Sequence, residues 1–139
     1  MESDKLIGIG PSDFIAGFNL FNAKLATGIK MRFAIGGSGS PILLVHGHPH
    51  THIIWRKIAP KLAEIHTVIL PDLRGYGDTE KPESQPDHRP YSKREMAKDL
   101  MSLMHLLGFE KFAFIGHDRG ARVGHRLALD YPEALTKAV

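Results

Sequence analysis

Short apolar runs alternate with helical patterns along most of the chain. Such runs are typical of strands that are buried on both faces of a parallel sheet. The predicted buried strands are Ile42–Val45, Thr67–Leu70 and Lys111–Ile115. Because strands and helices alternate, the pattern predicts an α/β fold with right-handed crossovers and a site at the carboxyl ends of the strands.

The helix after residue 91 has the clearest signature. Ser92 and Glu95 have the spacing of a capping box, and Gly108 stands where a glycine ends a helix. An apolar stripe between them predicts a face buried in the core. It consists of Met96, Leu100, Leu103, Met104 and Leu107.

The other predicted elements are less regular. One helix covers Ile53–Leu62, with a kink or a new start at Pro60, and another follows the strand Lys111–Ile115 and ends near Asp130, before Pro132. The remaining ones are an irregular lead at Asp13–Phe18, a hairpin of Asn19–Leu25 and Lys30–Ile35, and a strand that begins at Lys137.

Composition narrows the functional class. The 139 residues are 42% hydrophobic and 24% charged, which is the balance of a single soluble globular domain. The net charge of +3 is small, and no basic run interleaved with aromatic residues argues for a nucleic-acid partner. No stretch has the length of a membrane span or signal peptide, so we expect a cytoplasmic protein. The absence of cysteine excludes disulfides, thiolate catalysis and thiolate metal ligands.

The candidate chemistry centres on Asp118. Gly116 and Gly120 flank it two positions away on either side, between a predicted strand and a predicted helix, which is the pattern of a nucleophile elbow with aspartate in place of serine. The glycines let strand and helix approach closely, so the central residue is expected in a strained conformation with its side chain above the sheet. An aspartate that only caps the helix is the alternative.

Arg119 and Arg122 stand beside this aspartate. Being three positions apart, they share a face of the first helical turn, where the helix dipole disfavours cations by roughly 0.3 to 1 kcal/mol. An anion bound next to the nucleophile would explain both arginines.

Several other polar residues invite competing interpretations. Four alternating histidines could line a metal site, but Gly47 and Pro49 among them favour a turn and no carboxylate is interspersed. They are His46, His48, His50 and His52. We expect His117 to be structural, His125 to lie on the helix surface, and Asp72 and Arg74 to hold their own turn together.

Three motifs together resemble the α/β-hydrolase fold. They are His46-Gly47-His48-Pro49, Asp72-Leu73-Arg74-Gly75-Tyr76-Gly77 and Gly116-His117-Asp118-Arg119-Gly120. The aspartate elbow is similar to that of dehalogenases and epoxide hydrolases. Haloalkane dehalogenases and epoxide hydrolases usually have tryptophan after the nucleophile, whereas this chain has Arg119. The run from Gly116 to Arg122 most resembles haloacetate (fluoroacetate) dehalogenases, in which two such arginines hold the substrate carboxylate.

This resemblance implies roles and a reaction. Asp118 would be the nucleophile, the backbone N–H groups of His48 and Arg119 would form the oxyanion hole, and Arg119 and Arg122 would bind the carboxylate. The partners would be a small halogenated carboxylate and water, with no cofactor and no metal; a homodimer stays open. Family members are about twice as long and carry a lid, a second acid and a catalytic histidine later in the chain. We therefore expect residues 1–139 to be the amino-terminal part of one α/β-hydrolase domain.

Two alternatives to a haloacetate dehalogenase are an epoxide hydrolase relative and a non-catalytic half-domain. The half-domain would bind a carboxylate or, through an open sheet edge, a protein partner. The arginine pair favours the dehalogenase over the epoxide hydrolase. The half-domain remains an alternative because no histidine of residues 1–139 is assigned as the catalytic base.

Overall fold

A computed structural model of the protein describes residues 5–139, so the first four residues of the predicted domain lie outside the described part. It contains one seven-stranded sheet. The strands are β1 (Leu6–Pro11), β2 (Phe18–Lys24), β3 (Lys30–Gly37), β4 (Ser40–Val45), β5 (His66–Pro71), β6 (Phe112–Gly116) and β7 (Leu135–Ala138). The helices are α1 (Ala59–Leu62), α2 (Lys93–Leu106) and α3 (Arg119–Asp130).

The sheet is mostly parallel, as predicted. Its strand order is β1-β2-β3-β5-β4-β6-β7. The pairs β5-β4, β4-β6 and β6-β7 are parallel, whereas β1 and β3 pair antiparallel with their neighbours. The crossovers therefore bring the carboxyl ends of β4, β5 and β6 to one edge of the sheet, where ligand sites form in open α/β sheets.

The core lies on both faces of the parallel strands. Leu43 and Val45 of β4 belong to the apolar cluster under α2 and α3, while Ile42 and Leu44 belong to the cluster on the opposite face. This two-sided burial explains why β4 and β5 have unbroken apolar runs rather than an alternating pattern.

The predictions for α2 and α3 are confirmed. Ser92 caps α2 by accepting a hydrogen bond from the Glu95 N–H at 3.1 Å. The Ser92 N–H bonds to the Arg89 carbonyl instead of to the Glu95 side chain, so half of the capping box forms. α3 ends at Asp130, two residues before Pro132, which opens a 3-10 turn. No helix of residues 5–139 is both long enough and apolar enough to cross a membrane.

One predicted helix is shorter than expected, and one strand was not predicted. The helix expected over Ile53–Leu62 is a 3-10 turn at His52–Trp55 followed by the single turn of α1. The new start predicted at Pro60 is confirmed, because Pro60 lies in the first turn of α1, where its missing N–H has no partner to lose. The strand β1 has no counterpart in the prediction. Its residues are mostly exposed, and its isoleucines alternate with glycine rather than with polar side chains, so the apolar-polar pattern of a half-buried strand is absent.

Candidate active site

Asp118 lies in the sharp turn between β6 and α3. Its backbone angles are φ 55° and ψ −120°, a conformation that costs a non-glycine residue about 1–3 kcal/mol. The turn is tight because a Cβ on Gly120 would lie 2.1 Å from the Val45 carbonyl oxygen. The glycine pattern thus correctly predicts the strained backbone, and the catalytic role of Asp118 remains a prediction.

The Asp118 carboxylate faces backbone donors. The His48 N–H donates to Asp118 Oδ2 at 3.0 Å. Gly47 permits this approach, because a Cβ there would lie 2.4 Å from the Asp118 Cβ. The N–H groups of His48 and Arg119 hold the pKa of Asp118 below its ordinary value, which keeps the carboxylate ionised. The loop after β4 therefore contacts the turn after β6 through the Oδ2 atom of Asp118.

Three cations lie beside Asp118, and we call Lys93, Arg119 and Arg122 the cationic cluster. Lys93 and Arg119 are the first residues of α2 and α3. Burial, and then the nearby charges of Arg119 and Arg122, lower the pKa of the Lys93 amine. Neither Arg119 nor Arg122 forms a salt bridge with a carboxylate of residues 5–139. The positive charge of the cluster therefore exceeds the single negative charge of Asp118.

Tyr76 joins the site, although the sequence did not single it out. Arg119 Nη1 donates to the Tyr76 hydroxyl at 2.8 Å, and His48 Nδ1 lies 3.0 Å from the same oxygen. Its position in the motif after β5, at the edge of the sheet that holds Asp118, is the signal that could have found it.

His46 links the loops that follow β4 and β5. It is buried; its Nδ1 lies 2.9 Å from the Gly47 carbonyl oxygen, and its Nε2 accepts from the Leu73 N–H at 3.0 Å. Burial lowers the pKa of this imidazole, so it is neutral with the proton on Nδ1. His46 thus has a structural role.

Asp72 and His52 form a second buried link. The His52 N–H and Nδ1 both contact Asp72 Oδ1, at 2.8 and 2.7 Å, and the Asp78 N–H donates to Oδ2 at 3.2 Å. Burial disfavours the Asp72 carboxylate, but these hydrogen bonds outweigh it and hold the pKa below its ordinary value. Asp72 therefore holds its turn as predicted. Arg74 differs, since it reaches across to Asp99 of α2.

The alternating histidines do not share one environment. His46 and His52 are buried, whereas His48 and His50 are exposed. Among residues 5–139, no group of three or more histidine and acidic side chains is placed to hold a metal ion. His117 and His125 are both exposed, which puts His125 on the helix surface as predicted.

A sequence model of the α/β hydrolase fold matches residues 40–139, the part that carries all three motifs. The chain belongs to the α/β-hydrolase fold family. A crystal structure of a Salmonella enterica protein with the provisional name acyltransferase is 63% identical, with a TM-score of 0.94 over 95% of this chain and 44% of that one.

Two curated α/β-hydrolase relatives carry names of enzymes. A fluoroacetate dehalogenase from Burkholderia is 50% identical over 77% of this chain, and a soluble epoxide hydrolase from Corynebacterium is 43% identical over 76%. The chain spans about a third of the length of each, 35% in both cases. The chain therefore has relatives named as a dehalogenase and as an epoxide hydrolase.

Proposed function

We propose that this protein is a hydrolase that removes halide from a haloacetate through an ester on Asp118. The single observation that carries the proposal is an ionised, backbone-held carboxylate at a strained elbow beside two arginines that have no acidic partner in residues 5–139. The 50% identity to a protein named fluoroacetate dehalogenase supports the same choice.

The first step is a displacement at the carbon that bears the halogen. Asp118 Oδ1 attacks this carbon, a carbon–oxygen bond forms, and the carbon–halogen bond breaks as the halide leaves with its electron pair. The strained turn aims the carboxylate above the sheet, and the bond to the His48 N–H fixes the other oxygen, Oδ2. Because the carboxylate is fixed before the substrate arrives, little orientation entropy is lost in the attack.

The second step is hydrolysis of the ester. Water adds to Cγ of the Asp118 ester, Oδ2 becomes the oxyanion, and the bond from Cγ to Oδ1 breaks, so that Oδ1 leaves as the hydroxyl oxygen of glycolate. The His48 and Arg119 N–H groups stabilise the oxyanion where its charge develops. A general base must remove the proton from the water. In the dehalogenases that this chain resembles, a histidine performs this task.

The cationic cluster favours a charged substrate. A haloacetate carries its carboxylate one bond from the reacting carbon, so an arginine beside Asp118 can bind it while the carbon faces Oδ1. An epoxide has no such charge. The second candidate, an epoxide hydrolase, has the support of the 43% identical relative. Acyl transfer suits the site less well, since an aspartate would form a mixed anhydride more reactive than an ester substrate.

The test of the proposed function is to trap the ester. The protein, expressed from its complete reading frame, is mixed with excess chloroacetate and quenched, and the peptide that contains Asp118 is examined by mass spectrometry. We expect a carboxymethyl ester on Asp118 together with release of chloride. Absence of both products with chloroacetate, combined with turnover of an epoxide, would transfer the proposal to the epoxide hydrolase.

A further inference from the structure

The Tyr76 hydroxyl lies between two parts of the candidate site that come from different loops. It accepts from Arg119 Nη1 at 2.8 Å and lies 3.0 Å from His48 Nδ1. Arg119 follows the nucleophile, and His48 supplies the N–H that contacts Asp118 Oδ2. One hydroxyl therefore touches both neighbours of the nucleophile.

The two hydrogen bonds are compatible with each other. A guanidinium can only donate, so the Tyr76 oxygen accepts from Arg119 and its own proton is available for His48. In the tautomer whose own proton is on Nε2, His48 Nδ1 accepts this hydrogen bond. The chain of donors runs in one direction, from Arg119 through Tyr76 to His48.

Tyr76 is itself firmly placed. Its N–H donates to the Leu73 carbonyl at 2.9 Å, and its ring meets the buried His46 edge-on with centroids 5.3 Å apart. Gly75, with φ +84°, turns the chain so that a Cβ there would meet the Tyr91 ring at 2.7 Å. A side chain held in this way orders its hydrogen-bond partners at little further entropic cost.

Arg119 needs such a contact because of its neighbours. Lys93 and Arg122 are close enough for the three cations to repel one another. Repulsion among exposed cations favours conformations in which the guanidinium points into solvent. A neutral acceptor opposes this tendency without consuming the positive charge, whereas a carboxylate would neutralise it.

We propose that Tyr76 is a positioning residue that holds the Arg119 guanidinium toward the carboxylate of the substrate. This inference rests on the proposed function. Tyr76 does not touch the reacting atoms; it acts through Arg119. It therefore determines selectivity for a charged substrate over a neutral one of the same shape.

The test compares chloroacetate with chloroacetamide, which differ in charge at one group. Tyr76→Phe removes only the hydroxyl, and we expect KM for chloroacetate to rise about 10-fold, the effect of losing a hydrogen bond to a charged group. KM for chloroacetamide should change less than about 2-fold. In an Arg119→Ala background, Tyr76→Phe should add nothing further, because the residue through which it acts is gone.

Tyr91→Phe is the matched control. The Tyr91 hydroxyl donates to the Pro82 carbonyl, so its loss affects a surface loop and leaves the site unchanged. We expect a lower melting temperature and the same ratio of the two KM values. Equal losses of Tyr76→Phe on both substrates, or a full further loss in the Arg119→Ala background, would overturn the positioning role.

A binding measurement separates this inference from the proposed function. Acetate, titrated by calorimetry, should bind about 10-fold more weakly to Tyr76→Phe and unchanged to Tyr91→Phe, whether or not the protein turns over chloroacetate. Normal turnover and acetate binding in Tyr76→Phe would overturn the inference alone. If the unaltered protein neither releases chloride nor binds acetate, both proposals are wrong.

Discussion

Two arginine sites lie near the same edge of the sheet and differ in how their charge is used. Arg74 is 5% exposed, and its Nε and Nη2 donate to both oxygens of the fully buried Asp99 at 2.7 Å. Its Nη1 donates to the Pro90 carbonyl, and Thr27 donates to the same aspartate. Arg119 and Arg122 are exposed and form no salt bridge with a carboxylate of residues 5–139.

The difference separates structural charge from charge available for a ligand. A buried ion pair whose donors are satisfied locks elements together, and here it joins the turn after β5 to α2. Unpaired cations at helix N-termini work against the helix dipole, so they lower stability unless an anion binds. We therefore expect changes at Arg74 and Asp99 to affect unfolding, and changes at the cationic cluster to affect substrates.

The largest expected effect is that of Asp118→Asn. An amide is not a nucleophile, so formation of the ester from chloroacetate should fall by at least about 1000-fold. The fold should survive, since asparagine also tolerates a positive φ. Mass spectrometry of the Asp118 peptide and a thermal melt measure the two properties. Undiminished ester formation would show that Asp118 is not the nucleophile.

Asp99→Asn tests the structural half of the comparison. The change leaves the buried Arg74 without its counter-charge, and we expect the free energy of unfolding to fall by roughly 3–5 kcal/mol. Urea unfolding measures this loss. Whatever activity remains should keep the same preference between chloroacetate and chloroacetamide. A loss below about 1 kcal/mol would show that the pair is no more important than a surface ion pair.

Arg119→Ala and Arg122→Ala test the other half. Each should remove roughly 2–5 kcal/mol of transition-state binding for chloroacetate, the range for breaking a desolvated charge pair, and much less for chloroacetamide. Both arginines are exposed, so the free energy of unfolding should change by less than about 0.5 kcal/mol. Steady-state kinetics of each variant on chloroacetate and on chloroacetamide measure the two losses. Equal losses on both would end the carboxylate-binding assignment and favour the epoxide hydrolase.

The smallest expected effect concerns pH and Asp72. The folded-state pKa of Asp72 lies below its ordinary value of 3.8, so this carboxylate stabilises the fold above pH 3.8. That stabilisation is lost as the pH falls from 3.8 through the lower folded-state pKa. Urea unfolding between neutral and acid pH should therefore show a steeper decline in the unaltered protein than in Asp72→Asn. Parallel declines would contradict the assigned hydrogen bonds.

The sequence predicts the parallel strands and the two longer helices better than the elements that depend on tertiary contacts. The strands of the parallel sheet, α2 and α3 follow from local apolar patterns and from glycine and proline at their ends. The sequence does not predict β1, because its isoleucines Ile7 and Ile9 are exposed and give no sign of a buried face. A strand that is held in place mainly by contacts with distant residues leaves little trace in its own local sequence.

The candidate site shows the same limit. The sequence predicts Asp118, Arg119 and Arg122 as site residues because they occupy one continuous motif. The role of the His48 N–H in the oxyanion hole is predicted only from the family resemblance. Tyr76 lies 43 positions before Arg119 in the sequence and meets it only because β4, β5 and β6 end side by side. No local pattern encodes that contact.

The central claim, an ester on Asp118, is tested most directly by a single turnover in ¹⁸O-labelled water. The protein from the complete reading frame is used in excess over chloroacetate. If Asp118 attacks the carbon and water then attacks the ester carbonyl, the first turnover places ¹⁸O in Asp118 and leaves the glycolate unlabelled. Label in the glycolate after one turnover, with Asp118 unlabelled, would show that water displaces the halide directly and would contradict the account.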